Sequence, residues 1–384
     1  MYKIGVVTGT RAEYGLLKPL IRKMYDDSEL ELCLIVTGAH LEERFGYTCR
    51  EIEEDGFHIS HKIPMNLSND TPEGICLSMA GELRDIAGFF CDENIDLLFL
   101  LGDRYETLMA AVAAMMFRIP IAHLHGGELT EGSIDDAIRH SISKMSSIHF
   151  TSTEIYAKRL RQMGENPGKV FCVGALGVEN IKNIRFFDRD ELCGRYSRLF
   201  RKPYMMVTYH PVTLESNMAR KQFQNLLDVV SEKQEFNYIF TYANADAEGS
   251  AINALIDSYV SRHRNACVFK SMGQTGYLSA LKYAVCMVGN SSSGIIEAPS
   301  FHIPTVNIGD RQTGRVCPES VISCGNSTEE IREALAHALS PRFINSCRSF
   351  QNPYEGNDTS ERILGITKDN LKKGIKLQKG FVDL

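Results

Sequence analysis

The 384-residue chain lacks the features that mark several classes of protein. Its eleven cysteines include no CxxC pair, and the closest two, Cys317 and Cys324, lie seven residues apart. This scatter argues against a zinc site and is typical of reduced thiols in the cytosol. Lysine and arginine form no block, and the formal net charge is −6. We therefore expect neither a nucleic-acid partner nor a basic membrane patch.

Long apolar segments are also missing from the sequence. The most apolar run, Thr107 to Phe117, has 11 residues and ends at Arg118, which is too short to cross a bilayer. The run Ile4 to Val7 turns at once into a glycine motif, without the basic, apolar and small-residue regions of a signal peptide. These features predict a cytoplasmic protein without a membrane partner.

What remains is the composition of a folded protein, with 43% hydrophobic and 23% charged residues, and its length suggests two domains. Apolar strand-like runs alternate with amphipathic helix-like runs, which is typical of parallel sheets covered on both faces. The predicted strands are Lys3–Thr8, Leu30–Val36, Asp96–Leu100, Pro120–His123, Ile148–Phe150, Val170–Val173, Tyr204–Thr208, Phe236–Thr241, Ala266–Phe269, Val285–Val288 and Pro304–Asn307. The predicted helices are Leu16–Tyr25, Pro72–Phe90, Glu106–Phe117, Ile134–Ser146, Met218–Ser231, Ala247–Val260 and Tyr277–Tyr283.

The alternation breaks at Gly174–Pro203 and then restarts. We predict an α/β fold of two Rossmann-like, doubly wound domains, at residues 1–175 and 200–357, whose strand-to-helix loops face a cleft. The tail from about residue 358 to 384 has the pattern of a basic helix, and we expect that it can cross back and pack on the first domain.

Two glycine-containing motifs follow strands of the predicted first domain. Gly9–Gly15 opens a helix, where backbone N–H groups and Arg11 suit an anion, although a plain glycine turn has the same pattern. It is neither a Walker loop nor GxGxxG. In Leu101–Thr107, Asp103 stands at the end of a buried strand, where it can face a ligand, cap the next helix, or do both.

A denser motif, His123–Glu128, follows another apolar strand. It combines two histidines, two glycines and a carboxylate, and the glycines let the backbone approach a ligand. The next helix opens with Asp135 and Asp136. The alternatives to a reactive site are structural histidines at His123 and His125 and a plain helix-start acid at Asp135.

Two polar loops follow strands of the predicted second domain. In His210–Thr213, Pro211 directs His210 away from the strand end. A histidine there can act as an acid, a base or a phosphate donor, or it can be a packed turn residue. Asn244–Asp246 follows the next strand and is equally typical of a ligand contact and of a plain turn.

Gly289–Gly294 carries the strongest physical signal. Serine hydroxyls and free N–H groups at a helix start make a cradle for a diphosphate. Glu297, on the helix that follows, is placed to accept hydrogen bonds from a ribose diol. Arg311 and Arg315 lie in a later loop and can add positive charge to the same diphosphate. The alternative is a serine-rich loop that only caps the helix.

Taken in order, these motifs resemble those of the UDP-N-acetylglucosamine 2-epimerase family, and specifically its hydrolysing branch. The resemblance covers roughly Lys3 to Leu335, and seven ordered motifs make it specific. They are Gly9–Tyr14, Gly102–Glu106, His123–Glu128, Ile134–Lys144, His210–Thr213, Gly289–Glu297 and Arg311–Arg315. The resemblance implies the glycosyltransferase-B architecture, in which two Rossmann domains face each other and the second holds most of the nucleotide.

The resemblance also implies a reaction. UDP-N-acetylglucosamine, or a related UDP- or GDP-linked sugar such as a diacetamido trideoxy sugar, reacts with water to give the free 2-epimer and the nucleoside diphosphate. UDP leaves by elimination across C1–C2, and water adds to the intermediate while C2 is protonated on the other face. The product, of the N-acetylmannosamine type, feeds sialic- or legionaminic-type acid synthesis. No metal or redox cofactor is implied, and related enzymes are commonly homodimers or homotetramers.

Site residues are carried over by the same resemblance. The implied catalytic residues are Asp103, Glu128, Asp135, His125 and His210, the last of these near the leaving diphosphate. The implied contacts to the nucleotide sugar are Arg11, Glu13, Arg104, Asn244, Asp246, Ser271, Gln274, Ser291, Ser292, Ser293, Gly294, Glu297, Arg311 and Arg315.

Two positions bear on the finer assignment. Many relatives carry an acid where this chain has His125, so the C2 acid/base role is open among Asp103, Glu128, Asp135 and His125. Non-hydrolysing relatives typically carry His-Arg-Arg-Glu where this chain has His210-Pro211-Val212-Thr213, which favours the hydrolysing branch.

Two other functions stay open at this point. A glycosyltransferase of the same fold needs an acceptor pocket but no C2 acid/base set, and turnover of the UDP-sugar without an acceptor separates the two enzymes. A catalytically silent nucleotide-sugar sensor needs only the diphosphate cradle. The carboxylates and His210 argue against a sensor, and binding without turnover would support it.

Overall fold

The computed structural model describes residues 1–66, 71–131, 133–212, 218–243 and 248–383. The chain divides into two compact units. The first comprises Met1–Glu128, Asp135–Asn180 and Tyr354–Leu384, and the second comprises Leu129–Ile134 and Ile181–Pro353. Each unit contains a parallel sheet with helices, which confirms the predicted α/β fold.

The first unit is built on a seven-stranded sheet with the order β3-β2-β1-β4-β5-β6-β7. Its strands are β1 (Tyr2–Thr8), β2 (Leu30–Thr37), β3 (His61–Ile63), β4 (Leu97–Leu101), β5 (Ile121–Leu124), β6 (Ile148–Thr151) and β7 (Val170–Cys172). All neighbours pair in parallel. The strand order reverses between β1 and β4, and such a switch point is where open parallel sheets bind ligands.

The central strand β4 explains why these strands read as continuous apolar runs. Leu97, Phe99 and Leu101 pack into the core on one face of the sheet. Leu98 and Leu100 pack into a second core on the other face. Because side chains alternate along a strand and helices cover both faces, every position of β4 must be apolar.

The helices of the first unit begin with α1 and continue through α6. They are α1 (Arg11–Asp26), α2 (Cys49–Glu54), α3 (Pro72–Asp92), α4 (Tyr105–Met116), α5 (Asp135–Met145) and α6 (Glu154–Gln162). Helix α1 begins five residues earlier than predicted. Thr10 and Glu13 form a capping box that satisfies the first backbone N–H groups, so the helix starts directly after the glycine turn.

The chain passes through α7 (Leu176–Asn183) into the second unit, whose six-stranded sheet has the order β10-β9-β8-β11-β12-β13. Its strands are β8 (Tyr204–Thr208), β9 (Asn237–Thr241), β10 (Ala266–Phe269), β11 (Cys286–Gly289), β12 (Thr305–Ile308) and β13 (Val321–Cys324). Its helices are α8 (Arg189–Arg195), α9 (Ala219–Ser231), α10 (Gly249–Arg262), α11 (Gly273–Tyr283), α12 (Ser293–Ile296), α13 (Thr328–Ala338) and α14 (Pro341–Cys347). The switch point of this sheet lies between β8 and β11.

The predicted strands are all present, within one residue at each end, and the described residues form two further strands that were not predicted. These are β3 and β13, and both lie at the edge of a sheet. His61 and Lys62 of β3 are exposed, and β13 has no fully buried residue. An edge strand of this kind carries no continuous apolar run, so the pattern that predicts central strands does not detect it.

The helix after β11 is shorter than the sequence predicts. Helix α12 has four residues, and Glu297 caps its end instead of lying within it. Pro299 follows two residues later and opens a 3₁₀ turn over Ala298–Phe301. Proline lacks an N–H and disfavours helical backbone in the residue before it, which explains the early end of the helix.

The last helix, α15 (Thr359–Lys373), belongs to the first unit and packs against α1. Ile363, Leu364 and Leu371 join the same apolar core as Leu17 and Leu20 of α1. Ion pairs at the rim, such as Lys368 Nζ to Asp27 Oδ2 at 2.7 Å, add little because they are partly solvated. None of the helices in the described part of the chain is long and apolar enough to cross a membrane.

The close packing at the second switch point gives a test of the fold. Gly289 has φ +134°, and a Cβ there would clash with the carbonyl oxygen of Thr208. We expect Gly289→Ala to lower the free energy of unfolding by more than about 2 kcal/mol, because backbone strain adds to the clash. Gly88→Ala is the matched control, since Gly88 is helical and its Cβ would meet no atom of the described residues within 4 Å. It should raise stability by about 0.5–1 kcal/mol in denaturant unfolding. Equal effects of the two variants would contradict the structure.

Candidate active site

The loops after β1 and β4 meet at the switch point of the first unit. Glu106, which is buried, accepts a hydrogen bond from Arg104 Nε at 2.9 Å. A Cβ on Gly9 would lie 2.5 Å from Glu106 Cγ, so the first loop needs a glycine at this contact. The carboxylate of Glu13 accepts from the backbone N–H of Gly9 at 2.8 Å and of Thr10 at 3.2 Å. Glu13 therefore shapes the loop that precedes Arg11, the first residue of α1.

Two of the carboxyl groups around this switch point favour their protonated form. Burial, reinforced by the charge of Glu106, raises the pKa of Glu13 and of Glu82 to about 8. Glu82 also accepts a hydrogen bond from Thr37 Oγ1 at 2.5 Å. A carboxyl group that keeps its proton adds no negative charge, so Arg11 and Arg104 retain more of their attraction for an anion.

The loop after β5 brings His125 and Glu128 together. His125 Nδ1 lies 3.1 Å from Glu128 Oε1, and Ser152 Oγ donates to the same oxygen at 2.9 Å. The backbone of His125 has φ +66°, an uncommon conformation for a residue other than glycine, and its N–H donates to Phe150 O at 2.9 Å. Strained backbone of this kind clusters at functional sites.

The second ring nitrogen of His125 is a candidate atom for proton transfer. His125 Nε2 is buried and has no hydrogen-bond partner within the described ranges. If Nδ1–H donates to Glu128, the tautomer leaves a lone pair on Nε2, which is the arrangement of a general base. A buried nitrogen without a partner is costly, which indicates that a ligand or water meets it in the working protein.

His123, by contrast, has the environment of a structural histidine. Its side chain is fully buried, with Nε2 2.7 Å from Gly102 O and Nδ1 3.0 Å from Ser143 Oγ. Burial lowers the pKa of His123 to about 3, so the ring stays neutral. It ties the loop after β4 to helix α5.

Helix α5 contributes a buried arginine. Arg139 is 1% exposed and forms an ion pair with Asp103 through Nη2. Its Nη1 donates to Glu128 O at 2.9 Å and to Asp136 Oδ1 at 3.2 Å. Asp135 begins the same helix, one turn before Arg139. The structure thus brings Asp103 and the loop of His125 and Glu128 together around one guanidinium group.

At the switch point of the second unit, Asn290 clamps the backbone of His210. His210 N–H donates to Asn290 Oδ1 at 2.7 Å, and Asn290 Nδ2 donates to His210 O at 2.8 Å. Gly289 makes this possible because its backbone lies directly against Thr208. The pair of hydrogen bonds fixes the loops after β8 and β11 relative to each other.

The serine loop follows Asn290. Ser291 and Ser292 are partly buried, and Ser292 precedes the short helix α12. Ser293 Oγ accepts a hydrogen bond from Tyr277 OH at 3.0 Å. A Cβ on Gly294 would lie 2.8 Å from Thr305 Cγ2, so the lack of a side chain there allows α12 to pack on β12.

Asn290 also contacts the loop that contains Arg311 and Gln312, here called the arginine loop. Its carbonyl oxygen accepts from Gln312 Nε2 at 2.8 Å and from Arg311 Nη1 at 3.3 Å. Arg315 follows, with its N–H donating to Gln312 O at 3.2 Å. One buried asparagine therefore joins His210, the serine loop and Arg311, which are three of the predicted site elements.

The other predicted nucleotide contacts are less closely connected. Ser271 is exposed, and its Oγ accepts from Gly273 N at 3.2 Å. Gln274 is the second residue of α11. Asn244, Asp246 and Thr213 lie outside the described residues. No group of three or more His, Cys, Asp or Glu side chains in the described part of the chain is arranged to hold a metal ion.

Four residues of these two switch points have no role that the sequence motifs predict. They are Glu82, Glu106, Arg139 and Asn290. A signal existed for Arg139, because the buried face of α5 consists of Arg139, Ile142 and Ser143 at helical spacing. A charged residue on a buried face needs partners, and this points to a network. Glu82 lies within α3 without any local signal.

The fold first defines a class of protein, namely two Rossmann-like units of the glycosyltransferase-B type. The S. aureus MnaA–UDP co-structure matches with a TM-score of 0.82 over 100% of both chains, at 17% identity. The Neisseria meningitidis UDP-GlcNAc 2-epimerase bound to UDP-GlcNAc matches with a TM-score of 0.80 over 96% of this chain and 100% of the other, at 18% identity. At these identities the likeness concerns the fold.

The sequence then identifies the family. Residues 22–368 match the family model described as UDP-N-acetylglucosamine 2-epimerase. The GDP/UDP-N,N'-diacetylbacillosamine 2-epimerase (hydrolyzing) of Campylobacter jejuni is 40% identical over 383 residues, covering 100% of this chain and 99% of the relative. The UDP-N,N'-diacetylbacillosamine 2-epimerase (hydrolyzing) of Legionella pneumophila is 36% identical over 366 residues, 95% of each chain. The chain therefore belongs to the UDP-N-acetylglucosamine 2-epimerase family and is a 2-epimerase, as its ordered motifs predict.

The raised pKa of Glu82 predicts a pH dependence of stability. Its pKa rises from 4.5 to about 8 on folding, so the folded state holds a proton that the unfolded state releases. Stability therefore falls as the pH increases from about 4.5 to about 8, by at most about 1.4 kcal/mol per pH unit for this group. Glu82→Gln mimics the neutral acid, and we expect it to reduce this slope by up to that amount in unfolding experiments at pH 5.5, 6.5 and 7.5. The exposed Glu54→Gln is the control, and identical slopes in the two variants would contradict the prediction.

Proposed function

We propose that the chain is a hydrolysing 2-epimerase that converts a UDP- or GDP-linked 2-acetamido sugar and water into the free 2-epimer and the nucleoside diphosphate. The observation that carries the proposal is the contact of His125 with the buried Glu128, in a loop that Arg139 joins to Asp103. Support for the hydrolysing branch comes from two relatives at 40% and 36% identity whose names include the word hydrolyzing.

The sugar is proposed as a class with two members to be tested. Diacetylbacillosamine appears in the names of the C. jejuni and L. pneumophila relatives, and N-acetylglucosamine in that of a N. meningitidis relative at 32% identity. The E. coli relative at 38% identity is named polysialic acid biosynthesis protein P7, which supports a product that enters sialic- or legionaminic-type acids. We further propose a cytoplasmic homodimer or homotetramer.

The first unit supplies the acid and the base in this proposal. C2–H is a weak acid, so its removal needs a base within hydrogen-bond reach while the bond from C1 to the diphosphate breaks. His125 Nε2 is that group on one face of the sugar, with Glu128 orienting the ring through Nδ1. The proton returns to C2 from the other face, and Asp103 and Asp135 are the carboxyl groups proposed for this step.

The second unit binds the nucleotide in this proposal. Ser291, Ser292 and the backbone N–H groups of their loop hold the diphosphate, and Arg311 and Arg315 balance its charge as it leaves. Glu297 accepts hydrogen bonds from the ribose, and His210 lies at the leaving oxygen. Asn244, Asp246, Ser271, Gln274, Ser293 and Gly294 remain proposed nucleotide contacts, as do Arg11, Glu13 and Arg104 from the first unit.

The proposal predicts the fate of the hydrogen at C2. We expect the protein to release the free 2-epimer from at least one of two substrates, UDP-N,N'-diacetylbacillosamine and UDP-N-acetylglucosamine. Each substrate is incubated with the protein in deuterated water. The C2 of the released 2-epimer should carry one deuterium, because the original proton leaves to a base and solvent returns one. Proton NMR of the product measures this, with UDP release followed in parallel.

The same experiment distinguishes the alternatives. A glycosyltransferase would release UDP only when an acceptor is added, and a sensor would bind without release. A free sugar that keeps both its hydrogen and its configuration at C2 would contradict the 2-epimerase chemistry and leave simple hydrolysis.

The diphosphate cradle gives a second prediction. Ser291→Ala combined with Ser292→Ala should weaken UDP binding by about 1–3 kcal/mol, because hydrogen bonds to a charged group are lost. Isothermal titration with UDP measures the change. Ser261→Ala is the control, since Ser261 is an exposed serine of α10 in the same unit. Unchanged affinity in the double variant would remove the serine loop from the proposed site.

A further inference from the structure

Arg139 carries a deeply buried positive charge at the candidate site. Its side chain is 1% exposed, yet it belongs to the helix that begins with Asp135 and Asp136. Guanidinium groups are permanently charged, and removing one from water costs several kcal/mol unless acceptors surround it. The fold must therefore supply acceptors at fixed positions around Arg139.

Those acceptors come from three separate places in the first unit. Asp103 follows β4, Glu128 contributes its backbone oxygen from the loop after β5, and Asp136 lies on α5 itself. The planar guanidinium group has donors in a fixed fork, so it fixes both the distance and the orientation of the groups it joins. Asp103 and the β5–α5 loop are thereby held in one arrangement.

The effect reaches His125 through Glu128. Arg139 holds the backbone of Glu128, Ser152 holds its carboxylate, and that carboxylate contacts His125 Nδ1 at 3.1 Å. Glu128 is thus fixed at both ends. The direction in which His125 Nε2 points depends on these contacts, because Glu128 is the partner of the ring at Nδ1. The strained backbone of His125 also needs surrounding contacts to keep its conformation.

We propose that Arg139 is a positioning residue that holds Asp103 and the His125–Glu128 pair in the geometry for proton transfer at C2 of the sugar. The inference rests on the proposed function. Arg139 itself does not touch substrate, because it is buried and directed toward protein acceptors. Its role is to keep two acid/base groups from different loops at a constant separation while protons move.

The test separates positioning from binding. Arg139→Lys keeps the charge but loses the planar fork, and Arg139→Met keeps the length but loses the charge. A displacement of about 1 Å in reacting groups costs about 10²-fold in rate. We therefore expect kcat to fall by about 10²-fold or more in Arg139→Met and by less in Arg139→Lys. The dissociation constant for UDP and KM for the sugar nucleotide should stay within about threefold of the unchanged protein, since ground-state binding does not depend on the acid/base geometry.

A second variant keeps the test decisive if the arginine variants do not fold. Asp136→Asn weakens the same guanidinium from the partly exposed side, where Asp136 is 25% exposed. We expect kcat to fall about three- to tenfold with UDP affinity unchanged.

Addition of guanidinium ion to Arg139→Ala should restore part of the lost rate. A residue that only stabilises the fold would not give this result.

The possible results distinguish a failure of the proposed function from a failure of the positioning role of Arg139. If the unchanged protein incorporates no deuterium at C2, the proposed function fails. If it does incorporate deuterium, and the folded Arg139 and Asp136 variants turn over at the unchanged rate, the positioning role alone is overturned. Loss of kcat together with an equal loss of UDP affinity would also overturn it, because that pattern reports a general defect.

Discussion

The ion pair and hydrogen bonds of the buried Arg139 guanidinium are the interactions on which the candidate site of the first unit depends. A charge this deep in the protein is stable only while Asp103, Asp136 and the carbonyl of Glu128 surround it. Meeting that requirement forces the loops after β4 and β5 to adopt one relative position. His125, in the loop after β5, has a left-handed backbone conformation. The surrounding contacts offset the energetic cost of this conformation.

The two units use different kinds of side chain to hold together the loops at their switch points. In each sheet the strand order reverses next to the central strand, and two loops meet at that point. In the first unit a buried carboxylate, Glu106, lies against Gly9 and holds Arg104. In the second unit a neutral amide, Asn290, holds His210 and the arginine loop. Ionisable groups suit proton transfer, whereas amides, hydroxyls and backbone N–H groups suit a diphosphate, in line with the proposed division of roles.

Much of the fold was predictable because burial on both faces of a parallel sheet leaves a signal in every central strand. Strand β4 is the clearest case, since all five of its residues are apolar. The edge strands β3 and β13 lack that signal, and the end of α12 depends on Pro299 and not on helix periodicity. The site was predictable only as motifs after strands. The partnership of Arg139 with Asp103, and of Asn290 with His210, joins residues 36 and 80 positions apart, and no local pattern encodes such contacts. The catalytic and binding roles of the individual residues stay predictions.

The most direct test of the proposed chemistry asks which bond to the nucleotide breaks. Elimination across C1–C2 cleaves the bond between C1 and the diphosphate oxygen, so UDP leaves with its own oxygens. In ¹⁸O-labelled water, the UDP released by the protein should therefore carry no excess mass, while the label enters the free sugar at C1. UDP that carries one ¹⁸O would show attack of water at phosphorus and would contradict the 2-epimerase mechanism proposed for this chain.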